Sequence, residues 1–86
     1  VSPEIKQATR DYIVGNWLNG DHRGLKDDTN LQEAGLLDSI TTLALVSFLE
    51  QQFAIQLDPG DVNAESFRTV DTIVALTASK MEQRAR

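Results

Sequence analysis

Apolar side chains along the chain fall into three windows with steps of three and four residues, and each window predicts one amphipathic helix. In the first, Ile5, Ala8, Tyr12, Ile13 and Trp17 come round to one face. Ser2, Pro3 and Glu4 make a good start for it, because serine caps, proline at the first helical position has no N–H to lose, and an acid suits the positive end of the dipole. Asn19-Gly20, a turn pair, should end it. The second window runs from Ser39 to Phe53. There Ile40, Leu43, Val46, Leu49 and Phe53 form the stripe expected to face a core, while Thr41, Ala44, Ser47, Phe48, Gln51 and Gln52 make a neutral opposite face with Phe48 at its edge. Phe48 either packs under a loop or meets a partner. In the third window Thr69 is the expected cap, and Val70, Ile73, Val74, Leu76 and Thr77 form the stripe. Lys80, Arg84 and Arg86 follow near its C-terminus, where positive charge is favourable.

Between the first two helices, Gly20 to Leu37 carries Asp21, Gly24, Asp27, Asp28, Asn30 and Gly35 among few apolar residues, so it reads as a long ordered loop. Leu25, Leu31, Leu36 and Leu37 are the expected pins. After a short extended run at Ile55 and Leu57, Asp58-Pro59-Gly60-Asp61 breaks the chain, and Asn63 to Phe67 has room for one helical turn. The expected fold is all-α, a small bundle of three to four helices with a long loop between helices one and two. It should be a single domain over residues 1–86, since 86 residues have surface enough for one core only.

Composition narrows the chemistry. The chain has no cysteine, which removes thiolate catalysis, redox chemistry and Cys-based metal sites and fits a reducing cytoplasm. Any thiol must be imported. No run approaches the ~18 apolar residues of a membrane span. The net charge of −5 is unevenly placed: Asp27 to Phe67 holds eight acids and no Lys or Arg. Such a surface is a poor match for nucleic acid and a better one for basic protein surfaces. Asp58, Asp61 and the pair Asp27-Asp28 lack the ligand spacing of a calcium loop and read as helix and turn caps, so no metal site is expected.

The segment Glu33-Ala34-Gly35-Leu36-Leu37-Asp38-Ser39-Ile40 places a serine where a glycine-bearing loop turns into a helix. Free N–H groups and the macrodipole favour a phosphate ester there, although Asp38 or Ser39 serving as an ordinary N-cap explains the position equally simply. Asp38-Ser39-Ile40, followed by Leu43, Val46, Leu49 and Phe53, closely resembles the acyl carrier protein family around its modified serine. Asp27 to Leu31 resembles that family's acidic lead-in, and Asp61, Val62, Phe67, Thr69, Val70 and Ile73 resemble its short third and last helices. The resemblance covers nearly the whole chain.

It implies that Ser39 accepts 4′-phosphopantetheine from coenzyme A through a phosphopantetheinyl transferase, assisted by Asp38 in positioning magnesium. It further implies that the arm holds acyl or aminoacyl groups as thioesters, that Leu37 and Ile40 touch the arm or its cargo, and that Thr41, Ala44, Ser47 and Phe48 meet partner enzymes. The protein would then be no enzyme but a free-standing monomeric carrier. Its partners would be a transferase, an adenylate-forming ligase or acyltransferase, and a downstream synthase or transferase. Two departures from fatty-acid carriers appear: Leu36-Leu37 separate Gly35 from Asp38, and Glu50 is the only acid of the second helix beyond its first turn. That spacing resembles D-alanyl carriers and other carriers loaded by ligases, and points to a dedicated pathway such as polyketide or nonribosomal peptide biosynthesis. Two other readings stand beside it. A hydrolase on Ser39 would need His22 as base, yet this single histidine lies in a polar turn. An unmodified acidic helical adaptor fits the charge distribution and makes no use of the serine.

Overall fold

The computed structural model describes residues 3–84; Ser2 as a cap and Arg86 as a dipole partner lie outside the described residues. Three helices of 15 residues follow in order: α1 over Pro3–Trp17, α2 over Ser39–Phe53 and α3 over Val70–Arg84. Short 3-10 turns at His22–Gly24 and Pro59–Asp61 punctuate the connections, and the described elements are all helical. Asn63 makes the expected single turn: Phe67 N–H donates to its carbonyl at 3.1 Å, and its side-chain Oδ1 accepts from Ser66 N–H at 2.9 Å. Thr69 caps α3 through a reciprocal pair, Thr72 N–H to Thr69 Oγ1 at 3.1 Å and Thr69 N–H to Thr72 Oγ1 at 3.0 Å.

The core is drawn from every segment. Ile5, Ile13 and Val14 of α1 meet Val70, Ile73 and Val74 of α3, and Leu45 and Leu49 of α2 close the third side with Ile55 and Phe67. Leu25, Leu31 and Leu37 are buried as expected and Leu36 is half-buried, so the long loop is an integral wall of the bundle.

Two faces differ from the periodic reading. On α1, Thr9 and Val14 are buried while Ala8, Tyr12 and Trp17 are only partly so. On α2 the difference is larger: Ile40 is 79% and Leu43 64% exposed, whereas Leu45, left out of the expected stripe, is fully buried. The cause is a helix apolar on several sides, where steps of three and four can be traced along more than one line. Phe48 packs neither under a loop nor freely in solvent. It stacks on Tyr12 of α1 with ring centroids 4.2 Å apart and lies edge-on to Phe53 at 6.4 Å.

Long-range polar links fix the loop. Asp27, expected to cap a turn, instead receives Lys6 Nζ at 3.1 Å and Arg10 Nη1 at 2.9 Å, both from α1. These partners, Lys6 first, hold the Asp27 carboxyl below the usual carboxylate range. Arg10 also donates to the Leu25 carbonyl at 2.8 Å, and Asp71 N–H donates to the Asp27 carbonyl at 3.2 Å. Asp61 accepts Asp58 N–H at 2.8 Å, as a cap should, and pairs with Lys80 of α3 at 2.8 Å.

Helix α2 ends on Ala54 in the left-handed conformation at φ 52°, with Ala54 and Ile55 N–H groups both donating to the Glu50 carbonyl. An L-residue with a Cβ is disfavoured there by roughly 1 kcal/mol relative to glycine. Ala54 is exposed, so no packing is lost on removing its methyl group. Ala54→Gly is therefore expected to raise stability by about 1 kcal/mol, read as an upward shift in the denaturation midpoint.

Candidate functional site

The loop delivers Asp38 to the N-cap of α2 in extended backbone. Its Oδ1 accepts Ile40 N–H and Thr41 N–H, each at 2.9 Å, and the Thr41 hydroxyl at 3.1 Å; Thr41 Oγ1 in turn accepts Asp38 N–H at 2.8 Å. This closed box fixes where the helix begins. The donors, Thr41 N–H foremost, hold the Asp38 carboxyl below its ordinary range. The cap therefore persists through neutral pH and is lost only as pH falls through that lowered value.

Ser39 is the first residue of α2, exposed, and no side chain of the described residues bonds its hydroxyl. One expectation changes here. Free N–H groups at the helix start were expected to meet a phosphate, but those of Ile40 and Thr41 are taken by Asp38, which acts as the N-cap. A phosphate ester on Ser39 thus projects outside the cap, with only the dipole and the Ser39 N–H on its side. Asp38 Oδ2 carries none of the cap bonds, which leaves one carboxylate oxygen beside Ser39 turned to other partners.

The surroundings of Ser39 separate into a face and a cleft. Ile40, Leu43, Ala44 and Ser47, at positions i, i+3, i+4 and i+7, are all exposed and form one uncharged line leading away from it. Of the four residues expected to meet partners, Ala44 and Ser47 lie on this line. Thr41 is engaged in the cap and Phe48 in the stack on Tyr12. Of the two expected to touch the arm or its cargo, Ile40 is open to solvent, and Leu37 is 5% exposed and belongs to the core. Adjoining this line, and sharing Leu43 with it, lies a cleft of about 400 Å³ lined also by Gln32, Asp38, Ser39, Thr42, Val62, Asn63, Ala64 and Phe67. Its walls come from segments some thirty residues apart in sequence, which the pattern of α2 alone does not bring together. His22 is exposed and stands 3.7 Å from Asp11; no hydrogen bond links it to Ser39 among the described residues. Among those residues no cluster of His, Cys, Asp or Glu has the form of a metal site, and no helix is long and apolar enough to cross a membrane.

An exposed serine opening a helix, a cap that leaves its hydroxyl unbonded and an open cleft beside it leave room for a tethered group. The family model described as a phosphopantetheine attachment site matches residues 13–77, which include the whole of this site. The chain belongs to that family. It is a phosphopantetheine-bearing carrier domain, and the family's role is to carry rather than to catalyse. Among curated proteins, the carrier is 32% identical over 65 residues to a probable acyl carrier protein, PigG, from Serratia sp., covering 76% of this chain and 75% of that one. It is 34% identical over 56 residues to a D-alanyl carrier protein of Lactococcus lactis subsp. cremoris, covering 65% and 71%. A D-alanyl carrier protein of Lactobacillus acidophilus shares 29% identity over 76 residues, 88% of this chain and 94% of its own.

Proposed function

We propose that Ser39 is the attachment residue and that the carrier receives acyl or aminoacyl groups from an adenylate-forming ligase or acyltransferase within a dedicated biosynthetic pathway. The observation that supports the first part most strongly is the position of Ser39: exposed, with no described side chain bonded to its hydroxyl, at the first turn of α2 and lining an open cleft. In the transfer, Ser39 Oγ forms a P–O bond to the pantetheine-bearing phosphorus of coenzyme A. The pyrophosphate P–O bond breaks, adenosine 3′,5′-bisphosphate leaves, and the hydroxyl proton passes to a base on the transferase. The attached arm supplies the thiol that this Cys-free chain lacks and holds its cargo as a thioester. The names of the D-alanyl carrier relatives support the aminoacyl half of the reading.

The chain's own residues prepare this chemistry. Asp38 fixes the start of α2 with Oδ1 and offers Oδ2 to a magnesium ion held by the transferase. Ile40, Leu43, Ala44 and Ser47 form the docking face, with Thr41 and Phe48 at its edges. Because no charge occurs from Ser39 to Leu49, docking depends on shape and apolar contact.

Absence of cysteine makes a direct test possible. A thiol titration of the purified chain should give none; after incubation with coenzyme A, magnesium and a broad-specificity transferase it should give one per chain, and still none for Ser39→Ala. One thiol on Ser39→Ala would move the attachment point elsewhere. The two roles of Asp38 separate by substitution. Asp38→Asn keeps a capping oxygen and should melt close to the parent while the transfer slows roughly tenfold, the scale for removing a metal-positioning group. Asp38→Ala should lose both, and equal transfer rates for parent and Asn variant would confine Asp38 to capping.

A further inference from the structure

The two longest uncharged runs of the chain are Tyr12 to Gly20 and Ser39 to Leu49, and the bundle brings them together. Tyr12 of α1 stacks on Phe48 of α2 with ring centroids 4.2 Å apart, and its hydroxyl donates to the Ala44 carbonyl at 3.4 Å. Trp17 stands edge-on to the same tyrosine at 5.5 Å. Gly15 and Asn16, three and four residues after Tyr12, share its side of α1 and are exposed. The uncharged line of α2 therefore continues across the helix boundary onto α1, and the charges begin only at Asp11, Asp21, Asp38 and Glu50.

Gly15 is the unexpected member of this surface. It lies in the body of α1, where glycine lowers helix stability more than any residue except proline. Nothing in the fold asks for it. Its backbone is not left-handed, and a Cβ placed there would have no atom within 4 Å. A glycine that neither a turn nor packing requires, on an exposed uncharged surface, leaves a place where another chain can come close to the helix.

We propose that the transferase acting at Ser39 docks across both helices, that it sets an uncharged, apolar segment of its own surface against Tyr12 and Gly15 of α1 as well as the α2 line, and that Gly15 is a specificity-determining residue for this approach. The inference rests on Ser39 being the attachment residue. Ala44 follows Ser39 by five residues, about 7.5 Å along the helix axis, so an enzyme seated over the serine is already close to Tyr12. A standard interface takes roughly 20–30 residues a side, and the α2 line of Ile40, Leu43, Ala44 and Ser47 cannot fill it alone. Toward the 63–67 turn the patch would have to grow over acids: Gln32 Nε2 bonds the Ala64 carbonyl there at 3.0 Å, and the adjoining Glu33 and Glu65 are both exposed. Covering them without basic partners is costly. Growth over Tyr12, Gly15 and Asn16 desolvates no charge, and an apolar partner gains by it.

The test compares transfer from coenzyme A by a broad-specificity phosphopantetheinyl transferase to the parent, Gly15→Ala, Gly15→Gln and Ser79→Gln, the last adding side-chain bulk at an exposed position of α3. Gly15→Ala should melt higher than the parent by roughly 4 °C or more, and Gly15→Gln no lower than the parent, since the added atoms meet nothing in the free protein. For Gly15→Gln kcat/KM should nonetheless fall about tenfold, through KM with kcat held, as expected when an interface contact is blocked and the chemistry is not. Gly15→Ala should lose less, and Ser79→Gln should match the parent. Full efficiency in Gly15→Gln overturns the proposal, and so does an equal loss in Ser79→Gln. All four should elute as monomers on size exclusion; a parent dimer that Gly15→Gln abolishes would assign the face to a second copy of the chain and overturn it as well. A parent that accepts no arm from several transferases, by contrast, overturns the attachment reading and this inference with it.

Discussion

Leu43→Asp should reduce the efficiency with which a phosphopantetheinyl transferase modifies the carrier by about 30-fold or more, while the bundle stays folded. Leu43 is 64% exposed, so introducing a carboxylate there leaves no buried charge in the free protein. Leu43 lies one turn from Ser39, on the exposed uncharged line of Ile40, Ala44 and Ser47, so on the proposed docking face an enzyme that reaches the serine hydroxyl covers it. Truncating or charging a central apolar contact typically costs 2 kcal/mol or more at an interface, which is the 30-fold expected. The comparison is kcat/KM for parent, Leu43→Asp and Ser47→Ala, with melting curves for all three. Unchanged efficiency in Leu43→Asp would show that partners approach Ser39 from another side.

Leu45→Ala should have the opposite profile and the larger effect on stability. Its side chain is fully buried between the helices, and removing a buried leucine costs about 2–5 kcal/mol. A single core of this size supplies roughly 3–5 kcal/mol in all, so the variant should be mostly unfolded at physiological temperature. Leu43→Ala, two residues away, should stay within about 0.5 kcal/mol of the parent. Denaturant titrations of the two alanine variants decide which side of α2 faces the core. Greater destabilisation by Leu43→Ala than by Leu45→Ala would reverse the assignment.

That pair also marks where sequence pattern stops being sufficient. The starts of α2 and α3 were legible because Asp38 and Thr69 announce themselves chemically, and the loop leucines were legible because isolated apolar residues in a polar stretch have little reason to be there except burial. The rotation of α2 was not. Ile40, Leu43, Leu45, Val46, Phe48, Leu49 and Phe53 distribute apolar surface around the helix, and a helix with an exposed apolar line beside its buried one carries two competing stripes. The stop at Ala54 was hidden for a simpler reason: the left-handed position holds no glycine.

The candidate site was marked in the sequence at one residue, and its surroundings were not. Asp38-Ser39-Ile40 could be read from the family resemblance, but the engagement of the Ile40 and Thr41 N–H groups by the neighbouring carboxylate is a matter of geometry. So is the burial of Leu37, which adjoins Asp38 in sequence and points its bulk into the core. The cleft depends on the Gln32 to Ala64 bond and the Leu31 to Arg68 bond, contacts between segments that share no periodicity. Likewise Asp27 could not be matched to Lys6 and Arg10 until loop and helix were placed side by side. Local chemistry is written in neighbouring residues, whereas pairing across the bundle is not.

The attachment point itself can be located without any partner specific to the pathway. Asp27 to Phe67 contains no Lys or Arg, so trypsin leaves residues 27–68 as one peptide that carries Ser39 together with Ser47 and Ser66. After treatment with coenzyme A, magnesium and a broad-specificity transferase, fragmentation of this peptide should place a single phosphopantetheinyl group on Ser39. A group on Ser47 or Ser66, or an unmodified peptide after several transferases, would contradict the assignment of Ser39 as the residue that carries the arm.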